Sequence, residues 1–324
     1  MQLLDQNLKA ITIPNDVGDT VQHVLNSDMI NAVNAALAVN RPLLIWGEPG
    51  IGKSQLAKAV AKQLERPFLH FVADARTESR DLLWHFDAVA RLAEAQIDHG
   101  RQTNTTDELD DPLAIEKFIV PGPLWWALNW ESAETVAEHS QHKQPECSDR
   151  TIANGVVVLI DEIDKADSDV PNGLLEALGS NRFQPQGMDQ VVECSGERPL
   201  VMITTNEERS LPDAFLRRCL SLHLSFPKDN NQQQDFLVER AEQNAQHFLA
   251  LTLEDFQQAA QMLVEDRQEA QANHLYPLPG QAEYFDLLRG LQRQSEATGK
   301  SPLQLIDQLR TYIYQKHSGF HATR

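Results

Sequence analysis

The sequence predicts an α/β fold, a parallel sheet of five strands separated by helices, followed by a smaller all-helical region. Three observations carry that expectation. Five short apolar runs rich in Val, Ile, Leu and Phe recur through the first two-thirds of the chain, at 43–46, 68–72, 156–160, 200–204 and 220–224. Their apolarity is continuous rather than alternating, as in strands buried on both faces of a parallel sheet. Helical stretches lie between the runs, predicted over 29–39, 55–64, 81–96, 124–130 and 170–178, which is an α/β layer arrangement. Beyond Phe226–Pro227 the strand-like runs stop, so the boundary is drawn there, with domains over 1–227 and 228–324.

The first run, "LLIW", leads directly into "GEPGIGKS". That stretch fits G-x-x-x-x-G-K-[ST], with Gly47, Gly52, Lys53 and Ser54 in the fixed places. Gly47, Gly50 and Gly52 allow backbone conformations closed to other residues, so successive N–H groups can turn toward one anion. Lys53 adds positive charge for β- and γ-phosphates. Ser54 can place its hydroxyl on Mg²⁺ while the N-terminus of the following helix faces the phosphate charge. The candidate nucleotide-binding set is therefore Gly47, Glu48, Pro49, Gly50, Ile51, Gly52, Lys53, Ser54 and Gln55. An apolar strand before it and an Ala/Leu/Lys helix after it distinguish the stretch from a chance glycine-rich turn.

Further on, "PGPLWWALNW" contains Trp125, Trp126 and Trp130; the helical spacing of the last two predicts core packing over a surface that grips a partner. Two polar stretches, 99–111 and 140–154, are expected to be surface loops. The third apolar run, in "VVVLIDEID", ends in Asp161 and Glu162, and in open α/β sheets ligands bind at the carboxyl ends of strands. Asp161 is placed to hold Mg²⁺ together with Ser54, and Glu162 to orient and polarise an attacking water. The fourth run ends in Thr205 and Asn206, and Asn206 is the candidate to hold that water beside the γ-phosphate. Arg217 and Arg218 follow "LPDAF", where either can line the site or reach a neighbour's nucleotide. From Asp229 onward Gln, Glu and Ala dominate, with Leu and Phe at helical spacing and a break at "YPLPG", 276–280.

Apolar residues make up 41% of the 324 and charged residues 23%, which fits neither a disordered nor a membrane class. No apolar run reaches spanning length, and the start "MQLLDQNLKAITIPND" lacks the basic and apolar regions of a secretory signal, so a cytoplasmic location is expected. Three widely spaced cysteines, Cys147, Cys194 and Cys219, read as reduced thiols. The net charge of −19 repels the phosphate backbone of nucleic acid, so nucleic-acid partners are not expected.

As a set, the phosphate loop, "LIDEIDKAD", "TTNEER" and "LPDAFLRRC" resemble the AAA+ ATPases of the MoxR family, over residues 20 to 310. "RTESRDLLWHFDAVARL" and "FIVPGPLWWAL" agree as well. The resemblance implies an AAA+ P-loop core with a helical lid, ATP as substrate and Mg²⁺ as cofactor. Lys53 and Ser54 resemble the Walker A pair, Asp161 and Glu162 the Walker B pair, and Asn206 the first sensor. Arg218 falls at the arginine of the family's usual "DRF", the finger acting in trans, with Arg217 in place of the Asp. The resemblance further implies a homo-oligomer, with a hexamer expected, and a partner carrying a von Willebrand factor A domain. The work implied is remodelling, maturation or activation of a protein client. In the lid, Gln281 stands where relatives often carry a sensor arginine, and Arg289 is the candidate to replace it. A nucleic-acid motor of the restriction or helicase type on the same core, or a non-hydrolysing nucleotide switch, are the alternatives. Acidity and the lack of a basic, aromatic-interleaved stretch oppose the first, and Glu162 opposes the second.

Overall fold

The computed structural model describes residues 2–14, 20–98, 113–146 and 151–316; the predicted loop at 99–111 and Cys147 lie outside them. In chain order the elements begin with β1 (Ala10–Pro14), β2 (Thr20–Val24), α1 (Ser27–Val39), β3 (Leu43–Gly47), α2 (Lys53–Gln63) and β4 (Phe68–Val72). Then come β5 (Trp84–Phe86), α3 (Ala88–Asp98), β6 (Ile119–Pro121), α4 (Pro123–Leu128), α5 (Trp130–His139), β7 (Val157–Asp161) and α6 (Asp169–Ser180). β8 (Arg182–Phe183), β9 (Val192–Glu193), β10 (Leu200–Thr205), α7 (Asp213–Leu216) and β11 (Leu220–Leu224) complete the strands. Four helices follow, α8 (Asn230–Gln243), α9 (Leu253–Ala272), α10 (Gln281–Thr298) and α11 (Pro302–Ile313).

The five predicted strands form one parallel sheet in the order β11-β3-β10-β7-β4. Its burial explains the sequence pattern. All six residues of β10 and the first four of β7 are buried, whereas the edge strands β4 and β11 mix buried with partly and fully exposed positions. The register pairs Trp46 with Thr205 and Ile203 with Ile160, so the C-terminal ends of β3, β10 and β7 lie side by side.

Two helix predictions are corrected. The segment 81–96 is not one helix: a 3-10 turn at Ser79–Leu82 is followed by β5, and α3 starts only at Ala88. Long-range pairing overrides the local periodicity, because Trp84 pairs with Pro121 and Phe86 with Ile119. The segment 124–130 breaks at Asn129, whose backbone N–H closes α4 on Trp125 O while its side chain accepts from Ser132 N to cap α5. Trp126 is a core residue as predicted, and Trp130 is partly buried against the core. Trp125 and Trp126 are buried, the Trp125 indole donates to Ser132 Oγ at 3.1 Å, and Trp126 meets Trp130 edge to face at 5.0 Å.

The chain divides into two compact units. One takes in the residues up to Asn7, Ser27–Trp46 and Ala57–Leu222, and its core packs the apolar residues of β7 and β10 with those of α4, α5 and α6. The other takes in Leu8–Asn26, Gly47–Leu56 and the chain from His223, so the glycine-rich loop groups with the four C-terminal helices and the antiparallel pair β1–β2. Its buried apolar residues include Phe256, Leu263, Tyr284, Leu287 and Leu291. The polar composition after Asp229 is thus compatible with a packed helical unit because the apolar minority recurs on the inner faces. Among the described residues no helix is long and apolar enough to cross a membrane.

Candidate functional site

In the second unit the glycine-rich loop takes the conformation that its sequence demands. Gly47, Gly50 and Gly52 have φ of +155°, +78° and +100°. A Cβ on Gly47 would stand 2.4 Å from Leu224 O, and one on Gly50 would stand 2.8 Å from Ala282 Cβ, so both positions are closed to side chains. Lys53 opens α2 and is buried; its Nζ donates to the carbonyls of Gly47 at 2.6 Å and Glu48 at 3.1 Å, holding the loop in a tight arch. The Glu48 carboxylate accepts from Arg267 Nη2, with both oxygens at 2.7 Å.

His23, on β2, packs against the same loop, its ring 3.4 Å from where a Cβ of Gly52 would be. It is buried, its Nε2 has no partner among the described residues, and burial, helped by the charge of Arg240, lowers its pKa from 6.5 to about 4. The folded state therefore keeps His23 neutral where the unfolded chain takes up a proton. Above pH 6.5 the residue is neutral in both states; as pH falls from 6.5 toward about 4, stability is lost, up to roughly 3 kcal/mol. The expected result is that thermal unfolding of the wild-type chain loses ground to a His23→Gln variant over this interval. A gap between the two midpoints that does not change with pH would refute it.

In the first unit the carboxylates gather at the ends of neighbouring strands. Asp161 closes β7, one residue past the pairing of Ile160 with Ile203 of β10. The Thr204 hydroxyl donates to Asp161 Oδ1 and accepts from Glu162 N at 2.9 Å, so one buried side chain fixes both acidic residues. Asp161 Oδ2 lies 3.2 Å from His70 Nε2 on β4. Glu162 adopts a left-handed conformation, φ 58° and ψ 45°, which turns the chain sharply off the strand. Its Oε1 accepts from Asn206 Nδ2 at 3.3 Å and its Oε2 from Lys165 Nζ at 2.6 Å, and this bond raises the Lys165 pKa above its ordinary value. Asp164, buried, accepts through Oδ2 from the backbone N–H groups of Asn206 at 3.2 Å and Glu208 at 3.0 Å, which sets the loop that carries Asn206.

The structure thus brings Asp161, Glu162 and Asn206 together, and adds Thr204, Asp164, Lys165 and His70, which the sequence reading did not single out. A pair of threonines closing an otherwise apolar strand was the available signal for Thr204. The two candidate arginines are both exposed. Their backbone is held by Arg41, which donates to Arg218 O at 2.9 Å and to Arg217 O. Arg289, the candidate to stand in for a lid arginine at Gln281, pairs through its guanidinium with Asp286, three residues earlier, at 3.0 Å. Arg267, in the helical region, meets the glycine-rich loop through Glu48.

Residues 42–219, more than half of the chain, match the family model described as AAA domain (dynein-related subfamily). The chain belongs to this AAA family. AAA domains of this kind are ATPase domains, and nucleotide binding goes with the family in general. Among curated relatives of this AAA protein is the gas vesicle ATPase GvpN1 of Halobacterium salinarum, 24% identical over 213 residues. The match takes in 63% of the chain and 54% of the relative, so the chain spans about half the length of the curated protein it matches. Among solved structures, a RuvB variant of Thermotoga maritima aligns over 88% of this chain and 68% of its own, with 13% identity and a TM-score of 0.47. A candidate ATPase of Cytophaga hutchinsonii aligns over 87% of both chains, with 13% identity and a TM-score of 0.39.

Proposed function

We propose that this AAA protein is a Mg²⁺-dependent ATPase of the MoxR kind that remodels, matures or activates a protein client. The observation that carries the reading is the cluster in which Glu162 and Asn206 share a hydrogen bond beside Asp161, at the C-terminal ends of adjacent strands. Glu162 takes the proton of the attacking water and Asn206 orients that water. Lys53 and the loop N–H groups grip the phosphates. A carboxylate from Asp161 and a hydroxyl from Ser54 are hard oxygen donors that suit Mg²⁺, and the glycine positions closed to side chains leave backbone N–H groups as the loop's contacts. Mg²⁺, when bound, neutralises charge on the β- and γ-phosphates.

Arg218 is assigned to a neighbour's nucleotide, which requires a head-to-tail assembly, and a ring such as a hexamer closes it. The client is reached with a von Willebrand factor A domain protein. The acidic charge of −19 supports a protein partner over nucleic acid. The test measures ATP turnover alone, with single- and double-stranded DNA, with RNA, and with a von Willebrand factor A protein from a neighbouring gene. Stimulation by the protein and not by nucleic acid is expected; strong stimulation by nucleic acid at physiological salt, with none from the protein, would move the chain to the motor class.

A further inference from the structure

We infer that Arg267 couples the helical region to the phosphate loop through Glu48, so that nucleotide on the loop is felt in the segment between α9 and α10. The inference rests on the proposed nucleotide function. All of its contacts lie within the second unit. Arg267 is 3% exposed, and its guanidinium makes three kinds of contact. Nη2 meets both carboxylate oxygens of Glu48, inside the loop between Gly47 and Pro49, at 2.7 Å. Nη1 donates to Pro279 O at 3.0 Å, one residue before the N-cap of α10. The guanidinium carbon lies 4.7 Å from the centre of the Phe226 ring, just past the end of β11. The first turn of α10 also touches the loop, since a Cβ on Gly50 would stand 2.8 Å from Ala282 Cβ.

An acid in a phosphate loop is electrostatically adverse, because it places negative charge where more is to be bound. Arg267 cancels that charge. In return, the buried guanidinium depends on Glu48 as its carboxylate partner, and a buried charge that loses its partner is poorly tolerated. A shift of Glu48 when phosphate is gripped therefore pulls on Pro279 and the start of α10. Arg267 is on this account a positioning residue: it touches no phosphate and acts through Glu48. It supplies, by another route, the link between lid and nucleotide that Gln281 leaves open.

The test is a double-mutant cycle on ADP affinity, read with a fluorescent ADP analogue, together with hydrogen–deuterium exchange over residues 273–283. Arg267→Gln should weaken ADP binding by about tenfold or more in the wild-type background, because Glu48 is left unbalanced. In a Glu48→Gln background the same substitution should change affinity by less than about threefold. ADP should slow exchange over 273–283 in the wild type and leave it unchanged in Glu48→Gln. Equal losses from Arg267→Gln in both backgrounds, or undiminished ADP-dependent protection in Glu48→Gln, would overturn the coupling. If Arg267→Gln does not fold, Glu48→Gln alone decides through the exchange measurement, since Glu48 is half-exposed. Failure of the wild type to bind ADP at all would instead sink the proposed function.

Discussion

Lys53→Ala is expected to abolish nucleotide binding, whereas Glu162→Gln keeps binding and stops turnover. The two residues stand in separate units and do separate work. Lys53 is the buried ammonium that arches the glycine-rich loop through the carbonyls of Gly47 and Glu48, so its removal takes away the clasp that shapes the loop and, on the proposed function, the principal charge for phosphate. Glu162 makes no such contribution to grip. Its carboxylate is held by Asn206 and Lys165, and the amide of Gln can keep one of those bonds while it cannot accept a proton from water. Loss of a general base costs about a hundred- to ten-thousand-fold in rate. Nucleotide affinity by fluorescence and phosphate release by a coupled assay separate the two outcomes. Turnover within a few-fold of wild type in Glu162→Gln would remove Glu162 from the mechanism. A Lys53→Ala chain that melts like the wild type and binds ADP normally would remove the loop.

The second large effect is expected at Arg218. An arginine finger acting across an interface is worth about a thousandfold or more in turnover, so Arg218→Ala should be nearly inactive while its nucleotide affinity holds. The backbone at this position is tied to Arg41 through two carbonyls, so truncating the exposed side chain leaves the turn in place and the comparison with Arg217→Ala is clean. Mixing Arg218→Ala subunits with Lys53→Ala subunits should restore part of the activity, because some interfaces then join an intact site to an intact finger. Sedimentation with and without ATP should show assembly in the same samples. Normal hydrolysis by Arg218→Ala, with loss in Arg217→Ala, would transfer the role to the neighbouring residue; normal hydrolysis in both would end the assignment in trans.

The strands of the sheet and the ends of β7 and β10 were legible because their signal is local. A strand buried on both faces must be apolar throughout, and the acidic or amide residue that follows it stands out against that background. The phosphate loop was legible for a similar reason: left-handed turns at Gly50 and Gly52 admit almost nothing but glycine. What the sequence hid was non-local. The segment 81–96 has helical spacing, yet β5 forms there because β6 is available to pair with it from more than thirty residues away. Asn129 separates α4 from α5 by a capping bond that a run of apolar spacing does not announce. Arg267 sits in a helix rich in charged and polar residues, and its partner Glu48 is 219 positions earlier. No window around Arg267 distinguishes it from Arg289 or Arg293.

The left-handed backbone at Glu162 has an evolutionary consequence. A non-glycine residue held in that region costs on the order of 1 kcal/mol or more, which Gly or Asn would relieve. Folding alone thus pulls position 162 toward residues that cannot act as a base. A lineage released from the hydrolysis proposed above would be free to drift there and shed the strain, giving up the carboxylate that Asn206 and Lys165 hold. On the proposed function, a descendant of this chain that carries Gly or Asn at this left-handed position is therefore expected to bind nucleotide without turning it over.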